Sequence, residues 1–240
     1  DAVIKAGYTL MNEEQYTGGF LDVSLPETIF GYDWSMSTTN GNRAFSAWVS
    51  PSILDFNGSN MGIYVCIDDQ LYNQIPDTDY RKKNFEKDET ESTNDKGVTV
   101  TRPAYVSLKF DNPTWETDEI WMRLSEAYLL KAEAEARATQ YSAAQQTLFD
   151  LVSKRDSGYT KSTKTGDALL KEIHLQSRIE LWGEGHEWFT NKRFNVGVDR
   201  TASANHVHKV KFAAGKEFTY QIPLSIEINS NPNITDSDQN

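Results

Sequence analysis

The sequence predicts a mainly α-helical protein, with paired helices in the second half and a long, loop-rich first half that holds a few short strands. Residues 1–117 show little helical periodicity and carry turn signals such as TTNGN at 38–42 and FNGSN at 56–60. From residue 118 the chain becomes rich in Ala, Leu and Glu, which favour helices. We therefore divide one domain into an irregular region at 1–117 and, at 118–240, a helical region with a C-terminal hairpin and tail.

The first half contains two strand-like runs. GIYVCI at 62–67 and YVSLKF at 105–110 concentrate β-branched and aromatic residues, as strands do. Cys66, the single cysteine, lies in the first run. A lone thiol cannot form an internal disulfide, so we interpret Cys66 as a small buried hydrophobic residue.

Four helices are predicted in the second half, followed by a hairpin. The first spans 117–140 with Thr117 as its N-cap, and its apolar face carries Trp121, Leu124 and Tyr128 at helical spacing. The other helices are predicted at 142–156, 166–185 and 187–194. Alternating apolar residues at 210–224, around a turn that contains glycine, predict the hairpin.

The helical pairs are of the tetratricopeptide type. Trp121, Leu124, Ser125 and Tyr128 reproduce the opening W-x2-L-G-x2-Y pattern of such a repeat, with Ser in place of Gly. The first helix is longer than a standard repeat allows, and no clean 34-residue period follows. The sequence therefore predicts divergent, TPR-like helical pairs.

Three stretches carry a family resemblance: WMRLSEAYLLKAEAEAR at 121–137, RIELWGEGHEWFTNKRF at 178–194 and IPLSIEINSNPNI at 222–234. In this order and rough spacing, they resemble motifs in the C-terminal part of SusD/RagB-like outer-membrane nutrient-binding lipoproteins. The stretch at 187–191 departs from the family pattern because it lacks the usual Arg and Asp. Local ion pairs are therefore expected to differ from those of the family.

The resemblance implies a SusD-like fold from which the N-terminal part of the full protein is missing. It also implies an outward-facing lipoprotein of the bacterial outer membrane, whose lipid anchor lies outside this chain. Such proteins bind oligosaccharide, or in some branches peptide, for uptake through a SusC-like TonB-dependent transporter. They do not catalyse a reaction, and they need no cofactor.

The candidate ligand-binding residues are aromatic and polar side chains in the turn-rich first half, which we therefore expect to face the ligand. Aromatic rings can stack on the weakly apolar C–H faces of sugars, while amides and charged groups bond the hydroxyls. Tyr32, Trp34 and Trp48 supply rings, and Asn42 and Arg43 supply polar groups beside them. The alternative for either tryptophan is a place in the core.

The acidic and aromatic stretch at 178–195 resembles an active site, but we interpret it as scaffold. Arg178 and Arg193 are expected to pair with its glutamates, while Trp182, Trp188 and Phe189 fill the core. A zincin helix would need histidine at position 190, where the chain has threonine. The enzyme alternative is a glycoside hydrolase that uses Glu184 and a second acid.

Charge and motif content bear on the remaining classes of function. The net charge of −11 disfavours nucleic acid as a partner. His206 and His208 would need two further ligands to hold zinc, so no metal site is predicted. Asp77 and Asp79 could hold calcium, although the glycine and the distal glutamate of an EF-hand loop are missing. A TPR-like module that binds a protein partner stays open as an alternative.

Overall fold

The computed structural model describes residues 1–35, 48–52, 64–93, 97, 99–112, 116–215, 218, 220, 222–223, 228–235 and 237. Within these residues the fold is mainly helical, with short two-stranded pairings, which confirms the predicted class. Contacts divide the chain into two compact units, residues 1–184 and 185–240. The division at residue 117 separates a ligand-facing region from a helical one, and it stays a prediction.

In the first unit, short helices and strands come first in the chain, and three long helices follow them. In chain order they are α1 (Glu13–Thr17), β1 (Thr28–Tyr32), α2 (Asp69–Tyr72), a 3-10 helix (Tyr80–Asn84), β2 (Phe85–Glu86), β3 (Thr90–Thr93), β4 (Thr99–Arg102), β5 (Val106–Ser107), β6 (Glu119–Arg123), α3 (Leu124–Arg137), α4 (Tyr141–Val152) and α5 (Gly166–Glu180). Antiparallel pairs join β1 with β6, β2 with β5, and β3 with β4. Within the described residues, the short strands therefore form separate two-stranded pairs and no larger sheet.

The helical part is organised around α3, which packs against both α4 and α5. Small residues on the facing sides, Ala132 and Ala136 of α3 and Ala144 of α4, are buried. Because alanine leaves little bulk between helices, the backbones can approach closely, and Leu148 of α4 and Leu169 of α5 are also buried. Each leucine buried in this way contributes about 2 kcal/mol relative to an exposed one.

The start of the first long helix was predicted wrongly. Residues Glu119–Arg123 form strand β6, and the helix begins at Leu124. Thr117 does not cap the helix, since its hydroxyl oxygen accepts a hydrogen bond from Asn112 Nδ2 at 2.9 Å. Pairing with β1 holds this segment extended in spite of its helical periodicity. Trp121 therefore lies on the strand instead of on an inward helical face.

The first arm of the predicted hairpin at 210–224 contains a strand, whereas residues 216–217, 219 and 221 lie outside the described residues, so the hairpin stays a prediction. Strand β8 (Lys211–Phe212) pairs with β7 (Val198–Asp199), which follows helix α6 (Glu187–Phe194). Gly197 permits this pairing, because a Cβ atom there would lie 2.2 Å from the carbonyl oxygen of Phe212. In the second unit, β8 is therefore joined to a strand that lies soon after α6 in the sequence.

In the described part of the predicted strand segment around Cys66, residues 64–67, a single bridge joins Cys66 to Val106 of β5. Cys66 is half-buried, and burial raises the pKa of its thiol. The neighbouring Ile67 packs in a hydrophobic cluster with Ile75 and Phe85. The structure therefore places Cys66 partly in the core, less deeply than the buried position that the sequence interpretation gave it.

Strand β1 approaches β6 unusually closely at Gly31. A Cβ atom at this position would lie 2.6 Å from the carbonyl oxygen of Glu119 and 2.8 Å from Cγ1 of Val23. Both contacts are shorter than van der Waals distances, and the first is with backbone that cannot rotate away. Only glycine therefore fits without moving one strand away from the other.

We expect the Gly31→Ala substitution to destabilise the protein by about 1–3 kcal/mol, because the methyl group must push β1 from β6. Urea unfolding followed by tryptophan fluorescence measures this loss. An unchanged midpoint and slope would show that the two strands separate freely, contrary to the close approach described here.

Candidate functional site

Eight ionisable side chains form a buried charge cluster at the centre of the first unit. Four are acidic and four are basic, so the formal charges balance: Glu27, Asp79, Glu180 and Glu184 against Arg81, Lys109, Arg123 and Arg155. Their side chains are almost entirely removed from water. Burial of this many charges is favourable only when each is paired and hydrogen-bonded.

Glu180, near the end of α5, is the hub of the charge cluster. Its Oε1 accepts hydrogen bonds from Arg123 Nη1 at 2.7 Å and from Arg155 Nη2 at 3.1 Å, and its Oε2 accepts one from Arg81 Nη1 at 3.0 Å. Burial alone would raise the pKa of this carboxyl. The positive charges of Arg155, Arg123 and Arg81 outweigh burial and hold the pKa well below its ordinary value.

Glu184 belongs to the same network. Its side chain is 6% exposed, and its oxygens accept hydrogen bonds from Lys109 Nζ at 2.5 Å and from Arg123 Nε at 2.8 Å. Burial raises its pKa, but the charges of Arg123 and Lys109 outweigh it, so the pKa is lowered. Burial also lowers the pKa of Lys109 to about 8, against the pull of Glu184.

Glu180 and Glu184 of the 178–195 stretch are therefore scaffold, and the ion-pair partners described for them differ from the expected Arg178 and Arg193. Glu180 pairs with arginines from the 3-10 helix, from β6 and from the segment after α4, which are distant in sequence. Trp182 packs against Phe85 with ring centroids 5.0 Å apart, and Trp188 packs against Phe218 at 4.8 Å. Phe189 is 68% exposed, so its placement in the core was wrong.

Asp77 and Asp79, the two residues that could hold calcium, form ion pairs with basic side chains instead. Asp79 accepts a hydrogen bond from Arg81 Nη2 at 2.6 Å, and Asp77 accepts one from Lys82 Nζ at 2.7 Å. Among the described residues, no group of three or more His, Cys, Asp or Glu side chains is arranged to hold a metal ion.

We expect folding stability to fall as the pH drops below about 4.5. The unfolded chain takes up protons near that pH, whereas Glu180 and Glu184 in the folded chain take them up only at lower pH. The stability that they contribute is therefore present above this range and is lost as pH falls through their folded pKa values. Two such groups give a slope of about 2.7 kcal/mol per pH unit.

Urea unfolding between about pH 7 and about pH 3 measures this slope. Replacement of Glu184 by glutamine removes one of the two groups and should reduce the slope by about 1.4 kcal/mol per pH unit. A stability that stays constant across the range would contradict the prediction.

A second feature of the first unit is an aromatic platform on the β1–β6 pair, formed by Phe30, Tyr32, Trp34 and Trp121. The Tyr32 ring stacks on Trp121 with centroids 6.3 Å apart, and Trp34 meets Tyr32 edge-on at 4.8 Å. Phe30 is 54% exposed, Tyr32 42% and Trp121 49%. Exposed rings in mutual contact form an apolar surface of the kind that marks a binding site.

Irregular strand pairing turns these rings outward. Phe30 is opposite Met122 and Gly31 is opposite Ile120, so Trp121 is an extra, unpaired residue on β6. Regular alternation would bury one of two consecutive strand residues, yet Trp121 and Met122 are both exposed. A bulge of this kind re-aims side chains, and here it adds an indole to the face that carries Tyr32.

Asp118 fixes the end of β1. Its Oδ1 accepts a hydrogen bond from the backbone N–H of Trp34, and its Oδ2 accepts one from the backbone N–H of Val23, both at 2.9 Å. Glu119 plays a similar part at the ring edge, since Trp121 Nε1 donates to its Oε2 at 3.1 Å. Two carboxylates therefore hold two rings of the platform in place.

The sequence-predicted site residues are only partly brought together. Tyr32 and Trp34 lie in contact on the platform, and Trp48 is 44% exposed beside Val49, which packs on the core cluster that Ile120 also contacts. Asn42 and Arg43 lie outside the described residues, so their part in the site stays a prediction. Sequence reasoning missed Phe30 and Trp121.

The family assignment rests on a sequence match that covers most of the chain. The model of the SusD family matches residues 26–240. The chain belongs to the SusD family. Comparison with the curated proteins gives no match.

Solved SusD-like structures share the fold. A SusD superfamily protein from Bacteroides thetaiotaomicron VPI-5482 is 24% identical with a TM-score of 0.70, covering 96% of this chain and 52% of the other. A SusD-like carbohydrate binding protein from Bacteroides vulgatus ATCC 8482 is 23% identical with a TM-score of 0.67, covering 92% of this chain and 51% of the other. This SusD-family chain therefore spans about half the length of these relatives.

No helix in the described part of the chain combines the length and the apolar character that crossing a bilayer requires. The three long helices and the aromatic platform both lie in the first compact unit, and the SusD family model matches this unit from residue 26 onward.

Proposed function

We propose that this SusD-family chain binds oligosaccharide through the aromatic platform, as part of a protein that captures nutrients at the cell surface. The observation that carries the proposal is the set of exposed rings of Phe30, Tyr32 and Trp121, which contact one another through Trp121, with the half-buried ring of Trp34 against Tyr32. Flat rings held by a strand pair offer a rigid surface, so little side-chain freedom is lost when a sugar stacks on it.

The similarity to a SusD-like carbohydrate binding protein supports sugar as the ligand class. Trp48 and the polar residues Asn42 and Arg43 extend the proposed site, with the first-half region 1–117 facing the ligand. Val49 and Ile120 pack against the same hydrophobic cluster, so Trp48 and Trp121 each adjoin a residue anchored on that core.

The proposal is for binding without catalysis. A glycosidase acid needs a carboxyl that is reachable and has a raised pKa. Glu184 has neither property, because its side chain is buried against Arg123 and Lys109 and its pKa is lowered. Glu180, the last residue of α5, is equally committed to arginines.

We further propose that the complete protein is an outward-facing, lipid-anchored protein of the outer membrane. There it would work with a SusC-like TonB-dependent transporter that imports the captured glycan. Membership of the SusD family supports both parts of this proposal.

Calorimetric titration of the full chain with neutral oligosaccharides of several linkages tests the proposed function. Tyr32→Ala and Trp34→Ala should each weaken the affinity about tenfold or more through lost stacking. Trp48→Ala, measured in the same way, tests whether Trp48 is part of the site. Unchanged affinity in the Tyr32 and Trp34 variants would remove the platform as the ligand site, and tighter binding of peptides would transfer the function to peptide capture.

A further inference from the structure

Outside the buried charge cluster, the charged residues at 20–35 and 116–123, which flank the aromatic platform in sequence, are all acidic. Within residues 20–35 and 116–123, the one basic residue is Arg123, which is buried in the charge cluster. Asp33 lies in sequence between Tyr32 and Trp34, and its side chain is exposed. The platform therefore combines apolar faces with an acidic edge.

Two further carboxylates are tied directly to the rings. Glu119 is the cross-strand neighbour of Tyr32 and accepts the indole N–H of Trp121, while Asp118 accepts the backbone N–H of Trp34. Among the residues that the structure describes, no lysine, arginine or histidine forms an ion pair with Asp33, Asp118 or Glu119. Their negative charge is therefore not neutralised within this part of the chain.

We propose that the platform selects oligosaccharides by charge, binding chains that carry protonated amino sugars most tightly, neutral chains less tightly, and uronate or sulfate chains weakly. This inference rests on the proposed function. An ammonium group gains from the negative faces of indole and phenol rings as well as from the nearby carboxylates. An anionic sugar meets repulsion from these carboxylates, and Arg43, the one cation proposed for the site, lies outside the described residues.

Three β-1,4-linked tetrasaccharides of glucosamine, glucose and glucuronate test the inference, because they share a backbone and differ in charge. They are titrated into the full chain at a mildly acidic pH at which the sugar amines are protonated and the carboxylates ionised. We expect successive affinity ratios of about tenfold, equal to about 1.4 kcal/mol each. High salt should compress these ratios, since at about 1 M salt the Debye length is only about 3 Å.

Variants that remove single charges give the structural control. Glu119→Gln keeps an oxygen acceptor for the Trp121 indole, and Asp33→Asn keeps the size of its side chain. Each substitution should reduce the ratio of the affinities for the glucosamine and glucuronate chains about threefold or more. Glu14→Gln on the exposed face of α1 removes the same charge away from the platform and should leave this ratio unchanged.

The outcomes separate this inference from the proposed function. If the three sugars bind equally and all are weakened by Tyr32→Ala, the platform binds glycans and charge selection is wrong. If glucuronate binds most tightly, charge selection is also wrong. If Tyr32→Ala leaves all three affinities unchanged, or if none of the sugars binds, the proposed function itself fails.

Discussion

The Glu180→Gln substitution is expected to destabilise the protein by about 3–5 kcal/mol. Glutamine retains the size of the side chain but removes the charge that Arg81, Arg123 and Arg155 share. Three buried guanidinium groups would then be left with an incomplete set of anions in a region with little water. Urea unfolding at neutral pH measures the loss directly.

Glu13→Gln is the matched control, because it neutralises an exposed glutamate. Oε1 of Glu13 lies 2.5 Å from Nζ of Lys83, which is also exposed to solvent. An exposed pair contributes at most about 1 kcal/mol, so this variant should unfold near the wild-type midpoint. Equal effects of the two substitutions would mean that the charge cluster is screened by water and is not a buried network.

The Trp121→Ala substitution is expected to weaken oligosaccharide binding about 30-fold, equal to about 2 kcal/mol. Trp121 contacts both Phe30 and Tyr32, so its loss removes one ring face and also the support of the rings beside it. Because the indole is half in solvent, folding stability should change by only about 0.5 kcal/mol. Calorimetry and urea unfolding on the same sample separate the two effects.

Leu130→Ala serves as the control, because it shortens an exposed apolar side chain on α3 that is not part of the platform. Its affinity should match that of the wild type. If Trp121→Ala binds oligosaccharide as well as the Leu130 variant does, the platform is not the ligand surface.

The helical architecture could be predicted from the sequence, whereas the complete platform could not. Spacing alone placed Trp121, Leu124 and Tyr128 on one helical face, and for Leu124 onward this was correct. Periodicity in a single segment carries no information about a distant partner strand. Pairing with residues 28–32 converted Glu119–Arg123 into a strand and turned Trp121 toward solvent. The signal available in the sequence was Phe30 and Tyr32 at strand spacing beside Gly31.

The scaffold role of Glu180 and Glu184 could likewise be inferred from their type and setting, but not their partners. Arg178 is close in sequence, and nearness in sequence favoured it as a partner. The arginines that bind Glu180 come instead from positions 81, 123 and 155, which only the tertiary fold brings together. Long-range pairing of this kind leaves no local sequence pattern from which the ion-pair partners could be predicted.

The construction of the charge cluster also has a kinetic consequence. Arg155 and Glu27 are 128 positions apart in the chain, and Arg81 and Glu180 are 99 apart. In a partly ordered intermediate that lacked any one of these segments, charged side chains would be buried in an apolar interior without counterions. We therefore expect refolding of this unit to be concerted, and slow relative to the packing of α3 against α4, whose contacts are local.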